Sequence, residues 1–193
     1  MFKRNQLYTS LLVAGLVTTA GIVHAQQTLS SQASVTVQNA FTLAENTAMS
    51  FGTITASRGD TALSMELPVD GTAQTGDDTG TGNLTILTAG TPGEFEVTGA
   101  AAFTAMTVEM PTTAVTLSNA AAPPADPKFT VDTFKFREAG AGNTTITGSG
   151  SITTDATGGF VFNVGATLNL ASGASKTLVD GDYVGNYDVT VSY

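Results

Sequence analysis

The chain has 193 residues, among them no cysteine, no tryptophan and a single histidine, so few of the side chains that perform chemistry in proteins are present. Sixteen acidic and seven basic residues give a net charge of −9 at pH 7. This balance disfavours nucleic acid as a partner, because phosphates are bound by clusters of lysine and arginine. The absence of cysteine excludes a disulfide framework.

Residues 1–25 have the layout of a secretory signal peptide. Lys3 and Arg4 supply a positive start, an apolar stretch runs from Leu11 to Val23, and a small-x-small cleavage site ends at Ala25. The apolar stretch is shorter than the roughly 20 residues that span a bilayer. We therefore expect export through the inner membrane, passage through the periplasm and a final place at the cell surface or outside the cell. No membrane span is expected after cleavage.

Cleavage of this segment changes the chemistry that the chain can offer. It removes His24 and two of the seven basic residues but none of the sixteen acidic ones, which leaves a net charge of −11. A Ser-His-Asp triad is then impossible, since no imidazole remains. Glu94 and Glu96 share one face of a predicted strand, opposite its apolar face, and are expected to point to solvent. We expect the protein not to be an enzyme.

An extended segment over residues 26–39 precedes the predicted domain at 40–193. Small and β-branched side chains alternate along this segment and share one face. A sheet edge without a neighbour can be completed by a loose strand from another copy, so this segment is a candidate donor strand. Its donor face consists of Leu29, Ser31, Ala33, Val35 and Val37.

Alternation of apolar and polar residues continues through the rest of the chain, and glycine- and proline-rich turns separate the runs. No segment has the period of an amphipathic helix. Many short strands with regular turns predict an immunoglobulin-like antiparallel β-sandwich, and thus an all-β fold. The runs are 49–53, 63–69, 94–97, 129–132, 134–137, 160–164, 168–170 and 187–193.

Two short sequences raise specific binding hypotheses. The glycine-rich loop containing Asp70, Asp77 and Asp78 has oxygen atoms of the kind that calcium binds, but it lacks the EF-hand spacing, and a flexible turn explains it as well. No cofactor is otherwise expected. Arg58-Gly59-Asp60 spells the tripeptide that integrins read, although a turn between strands explains these residues equally well.

Three motifs carry a resemblance to a known family. The region Leu43-x8-Gly52, with Met49-Ser50-Phe51-Gly52-Thr53-Ile54, resembles the start of a secreted bacterial family catalogued as domain-of-unknown-function family 4402. Phe160-x-Phe162-x-Val164-Gly165-Ala166-Thr167-Leu168 is similar to a strand pair of that family. The close Gly181-Asp182-Tyr183-x-Gly185-x-Tyr187-x-Val189-x-Val191-x-Tyr193 resembles its ending.

Both end motifs are also similar to archaic chaperone–usher pilins of the spore-coat-U-like group. This resemblance implies a filament subunit that polymerises with itself or with related subunits, helped by a periplasmic chaperone and an outer-membrane usher. It implies that the N-terminal segment is the donor strand. Those pilins usually carry cysteines near the N-terminal motif, and this chain has none. The acceptor groove or its adjoining strand would then include Tyr187, Val189, Val191 and Tyr193.

Two other functions compete with the filament subunit. A free-standing secreted or surface-attached binding domain, such as an adhesin, fits the same fold, because a sandwich by itself fixes no function. A small outer-membrane barrel would explain the terminal aromatic residue, yet most runs are shorter than the 9–11 residues of a spanning strand. The sequence leaves open whether residues 26–39 pair within their own chain or with another copy.

Overall fold

The computed structural model describes residues 27–37, 40–140, 142–173 and 178–193, so the predicted signal peptide lies outside the described residues. The chain divides into two units, Met1–Thr36 and Val37–Tyr193, and every strand of the described residues belongs to the second. Within the described residues all secondary structure is β, and all strand pairs are antiparallel. The predicted all-β sandwich is confirmed. In the part that the structure describes, no helix is suited to crossing a membrane.

Twelve strands are present in the described ranges. In chain order they are β1 (Thr42–Thr47), β2 (Thr53–Ser57), β3 (Leu63–Glu66), β4 (Asn83–Thr88), β5 (Gly93–Thr98), β6 (Ala105–Glu109), β7 (Val115–Leu117), β8 (Phe129–Glu138), β9 (Ile146–Thr147), β10 (Ser149–Thr153), β11 (Phe160–Leu170) and β12 (Thr190–Ser192).

The larger sheet has the order β1-β5-β11-β8-β7, with β3 paired to one end of β11 and β9 paired to β8. Its central strand β11 buries every second side chain from Phe160 to Leu170, as its alternation predicts. These side chains meet buried residues of β5, β6, β8 and β10 in one continuous core. The largest fully buried members are Phe134, Phe136 and Phe162.

The opposite layer is split into two parts. One part is a three-stranded sheet in the order β10-β6-β12, and the other is a pair formed by β2 and β4. Met106 and Val108 of β6 and Leu84 of β4 are buried in the same core, so both parts pack on the larger sheet. Among the described residues, no strand joins the two parts through hydrogen bonds.

The C-terminal segment follows the predicted alternation but pairs over only a few residues. Every second side chain from Tyr183 to Val191 is half-buried, as a strand on the core would require. Only Thr190–Ser192 form strand β12, which pairs with β6, while Val184 makes an isolated bridge to Ser118. The strand predicted over 187–193 therefore pairs with a neighbour only at Thr190–Ser192, although its side chains alternate in burial over a longer stretch.

Candidate functional site

A groove of about 480 Å³ opens between β2 and the C-terminal segment. One wall is formed by residues 49–56, which include most of β2, and the other by residues 178–187 of the C-terminal segment. The floor belongs to the larger sheet. It consists of Val115, Leu117, Phe129, Val131, Phe134 and Leu168. We call this feature the open groove.

Each wall of the open groove includes backbone to which no further described strand is paired, although Val184 of the C-terminal wall bonds to Ser118. Strand β2 pairs with β4 on one side, and no other described strand pairs with it. Residues 185–189 of the opposite wall have the alternating burial of a strand but carry no strand assignment. Backbone groups at such edges are free to pair with an added strand. The groove thus offers backbone groups on two sides, above an apolar floor, to which an added strand could bond.

The open groove is the place where the two end motifs of the sequence meet. Met49, Phe51 and Ile54 of the first motif line one wall, and Tyr183 and Tyr187 of the closing motif line the other. The two motifs are more than 120 residues apart in the chain. Their spatial proximity could not be read from the sequence, because it depends on how the strands are ordered in the split layer.

Tyr187 anchors the C-terminal wall to the core. Its ring packs at 5.3 Å from the ring of Phe134 and at 6.4 Å, edge to face, from that of Phe95. Its hydroxyl is buried and has no hydrogen-bond partner among the described residues. Burial of the phenol, together with the charge of Glu45, raises the pKa of Tyr187 to about 12. This side chain is therefore neutral at physiological pH.

Tyr183 anchors the same wall, and its hydroxyl has a hydrogen-bond partner. Its ring meets that of Phe129 edge to face at 5.0 Å. Its hydroxyl donates a hydrogen bond of 2.9 Å to the carbonyl oxygen of Val179. Ring contacts of this kind add to the burial of the side chains themselves. The C-terminal wall is thus held to the floor by its tyrosines where its backbone is not held by a sheet.

The predicted C-terminal residues lie at different places along this wall. Tyr187 lines the open groove. Val189 and Val191 are half-buried against the core, and Val191 lies in β12. Tyr193 lies beyond β12 and meets the ring of Phe41 edge to face at 5.6 Å. The sequence pattern does not mark the β2 wall as part of the site, although residues 49–54 carry one of the family motifs.

The predicted donor face is exposed. All described residues of the segment, 27–37, are exposed and none lies in a strand. Its three larger apolar side chains have exposed fractions of 93% for Leu29, 85% for Val35 and 77% for Val37. Ser31 and Ala33 between them are exposed as well. Three apolar side chains that are exposed to water in this way are free to be buried elsewhere.

The aspartates of the predicted calcium loop already accept hydrogen bonds within the domain. Asp77 accepts bonds from the hydroxyl and N–H of Thr79 and from the N–H of Ser64, and Asp70 accepts two from Thr72. These bonds hold the pKa of both carboxyls below its ordinary value. In the described ranges, no three side chains of the histidine, cysteine, aspartate or glutamate type are grouped for a metal ion. The third residue of the loop, Asp78, is exposed.

The Arg58-Gly59-Asp60 tripeptide is tied to its own domain. The guanidinium of Arg58 donates to the carbonyl oxygens of Ala171 at 2.9 Å and Ser172 at 2.6 Å. The carboxylate of Asp60 accepts bonds from the N–H and the hydroxyl of Thr81, both at 3.0 Å. The two charged side chains thus close turns of the sandwich, which favours the turn interpretation over an integrin motif.

The residues that form both walls and the floor fall within a single family match. The family model described as "Domain of unknown function (DUF4402)" matches residues 41–193. The chain belongs to this family. The predicted family membership is confirmed, and the DUF4402 domain contains the whole open groove, whereas the exposed segment 27–37 precedes it. Searches of curated proteins and of solved structures found no match to the chain.

Proposed function

We propose that this protein is a structural subunit of a bacterial surface filament, in which residues 27–37 of one copy occupy the open groove of the next. The observation that carries the proposal is the groove itself, with its apolar floor between residues 185–189 and the side of β2 to which no described strand is paired. The resemblance of both end motifs to chaperone–usher pilins points to the same function. A head-to-tail contact of this kind does not close on itself, so repetition yields a fibre.

An added strand would complete the split layer. Lying between β2 and residues 185–189, it would have a backbone partner on each side and the larger sheet beneath it. The order β10-β6-β12 would then continue through the added strand into β2-β4 as one layer of six. Alternate side chains of an extended segment would point down to the floor.

The apolar side chains of the donor face supply part of the free energy that such binding needs. Burial of Leu29, Val35 and Val37 contributes about 1.5–3 kcal/mol each, while association costs an estimated 4–15 kcal/mol. These three side chains therefore offset only the lower part of that cost. Backbone hydrogen bonds to two edges, each contributing about 0.5–1.5 kcal/mol net, must supply the remainder. The proposal thus needs an extended, fully paired segment rather than a few anchoring side chains.

An empty groove of this kind needs protection during export. Unpaired edges above an apolar floor promote aggregation, so a subunit waiting for its neighbour requires a partner that covers them. We propose a periplasmic chaperone that covers the groove and an outer-membrane usher that delivers the subunit. The predicted signal peptide and a final place at the cell surface fit this route.

Paired substitutions on the two faces of the segment test the proposal. Changing Leu29 and Val35 to aspartate places charges on the donor face and should abolish head-to-tail assembly, measured by sedimentation and electron microscopy. Changing Ser30 and Ser34 to aspartate adds the same charges to the opposite face and should leave assembly intact. Deletion of Gln26–Asn39 should act like the first pair.

Assembly that survives both the donor-face substitutions and the deletion contradicts the filament proposal. The second candidate function, a free-standing binding domain, is favoured by one exposed aromatic side chain, Phe103. Sugar-binding sites commonly use such a side chain as a platform. A stable monomer that binds defined glycans on an array would support this second function instead.

A further inference from the structure

A surface with a single charged side chain lies at the end of the sandwich where the exposed segment joins the domain. Strand pairing brings four chain segments to this end: Thr42 pairs with Thr98, Thr153 with Ala105, Phe160 with Val97, and Ser192 with Thr107. We call it the Phe103 end. It comprises residues 40–42, 98–104, 153–159 and 192–193.

Phe103 stands out on this surface because it is both exposed and strained. Its side chain is 74% exposed, and its backbone has a φ of 53°, in the left-handed region. A bulky side chain rarely adopts this conformation, which glycine and asparagine tolerate far better. An aromatic residue at such a position exposes apolar surface and lowers the stability of the isolated domain. Strain of this kind concentrates at functional sites.

The loop that carries Phe103 is held firmly by a buried threonine. The hydroxyl of Thr154, which is 2% exposed, accepts a bond from the N–H of Thr104 at 2.8 Å and donates one to the carbonyl oxygen of Ala101 at 2.6 Å. The N–H of Thr154 donates to the carbonyl oxygen of Thr104, and that of Ala100 to the carbonyl oxygen of Gly158. Phe103 is thus presented by an ordered loop, which lowers the entropy lost when it binds.

The Phe103 end is nearly free of charge in a strongly acidic chain. Its four segments contain one charged side chain, Asp155. The carboxylate of Asp155 is occupied, because it accepts bonds from the N–H and hydroxyl of Thr157 and from the N–H of Gly159. Two acidic copies repel each other least where charges are scarce, and the buried centres of protein interfaces are depleted of charge.

Chain connectivity places this end beside whatever binds the segment. A Cβ atom built at Gly99, four residues before Phe103, would lie 3.7 Å from the carbonyl oxygen of Ala40. Val37 is only three residues before Ala40, a distance of at most about 11 Å of extended chain. A second copy that holds Val37 in its groove therefore comes within reach of the loop that carries Phe103.

We propose that the Phe103 end is the surface on which each subunit rests against the second copy that holds its segment 27–37. This inference depends on the proposed function and deepens it, because it gives the filament a second contact besides the inserted strand. The two contacts are covalently connected in each copy. The inserted strand then provides the attachment, and the Phe103 end fixes the angle between neighbouring subunits.

Exchange of Phe103 in the full chain tests this contact. Phe103→Asn relieves the left-handed strain, so the melting temperature of the unassembled subunit should stay the same or rise. The concentration needed for half-maximal assembly should nevertheless rise roughly ten-fold, as for the loss of an aromatic anchor. Phe103→Tyr keeps the aromatic ring and should assemble like the unchanged protein. Leu87→Ser, at an apolar site on β4 that is 64% exposed, is the matched control and should leave assembly unchanged.

The outcomes separate this inference from the filament proposal. Assembly that is unaffected by Phe103→Asn but lost with aspartate at positions 29 and 35 overturns the contact at the Phe103 end and leaves the groove proposal standing. Assembly that is insensitive to both sets of substitutions overturns both proposals. Binding of a glycan by the monomer that is lost in Phe103→Asn also overturns the contact, because it assigns the aromatic side chain to a ligand.

Discussion

At the scale of single residues, the loops of this protein repeat one device. An aspartate accepts bonds from the hydroxyl and the N–H of the threonine two positions later, at Asp70, Asp77 and Asp155. At Asp155 the N–H of Gly159 and then the hydroxyl of Thr157 are the largest causes that hold the carboxyl pKa below its ordinary value of 3.8. Charged carboxylates thus stabilise the turns between strands.

The lowered pKa predicts how this stability depends on pH. A carboxyl with a lower pKa in the folded state stabilises the fold fully above the unfolded pKa near 3.8 and loses this effect as the pH falls through the folded pKa. Thr157→Val should therefore lower the melting temperature at pH 7 and lower it less at pH 2.5. Thr157→Ser keeps the hydroxyl and should follow the unchanged protein at both pH values. An equal loss at both pH values for Thr157→Val would contradict this account.

Loss of the hydroxyl should change the free energy of unfolding differently at the two tyrosines of the C-terminal wall. Tyr183→Phe removes a bond to the carbonyl oxygen of Val179 and should lower the free energy of unfolding by about 1 kcal/mol. Tyr187→Phe removes a buried hydroxyl without a partner and should leave stability unchanged or raise it. Denaturant titration of both variants measures the difference. A greater loss in Tyr187→Phe would show that its hydroxyl has a partner.

At the scale of elements, β8 shows what the alternation of residues can and cannot reveal. The sequence predicts two runs, 129–132 and 134–137, because the apolar positions change from odd to even numbers between them. The structure instead has one strand with a bulge, where Thr133 has a φ of 49° and the pairing with β11 shifts. One extra residue changes the phase of a strand without ending it. A pattern of alternation alone does not distinguish a bulge from a turn.

The bulge predicts an unusual response to asparagine. Thr133→Asn should raise the free energy of unfolding by roughly 0.5–1 kcal/mol, since asparagine tolerates the left-handed region better than a β-branched residue does. Thr130→Asn, at a regular position of the same strand, should instead lower it, because asparagine is disfavoured in strands. Thermal unfolding of the two variants provides the comparison. The same direction of change at both positions would contradict the role of the bulge.

The missed strands also have physical explanations. Met106 and Val108 alternate in β6 and are fully buried, yet the run is short and follows an alanine-rich turn, so it was not predicted. Strand β1 exposes most of its side chains and therefore has little apolar alternation to detect. The C-terminal run was predicted as a strand from its side chains, and its burial agrees, but pairing requires a neighbour that the described structure supplies only at β12. Packing follows from the local pattern, whereas pairing depends on distant segments.

At the scale of the whole molecule, the sequence singled out the two terminal segments but not the groove. It identified the exposed segment and the C-terminal run from their alternation, and strand pairing in their described parts is confined to Thr190–Ser192. It did not predict the open groove, because the groove is a gap between β2 and the C-terminal wall. A gap has no sequence pattern of its own and arises only from the order of strands in a layer.

The central claim, that residues 27–37 occupy the groove of another copy, is tested most directly by engineered cysteines, since the chain has none of its own. Ala33→Cys on the donor face and Ala56→Cys on the groove wall are made in separate chains and mixed under oxidising conditions. The experiment is repeated with the donor cysteine at position 31 or 35 instead of 33. A disulfide requires Cα atoms within about 7 Å. Thr85→Cys, exposed on β4, replaces the groove cysteine as control.

We expect a covalent dimer on a non-reducing gel from the donor and groove variants, and none above background from the donor and Thr85→Cys variants. A chain that carries both Ala33→Cys and Ala56→Cys should form a ladder of cross-linked oligomers. A disulfide that forms only within single chains, or no more cross-linking at the groove than at position 85, would contradict the account.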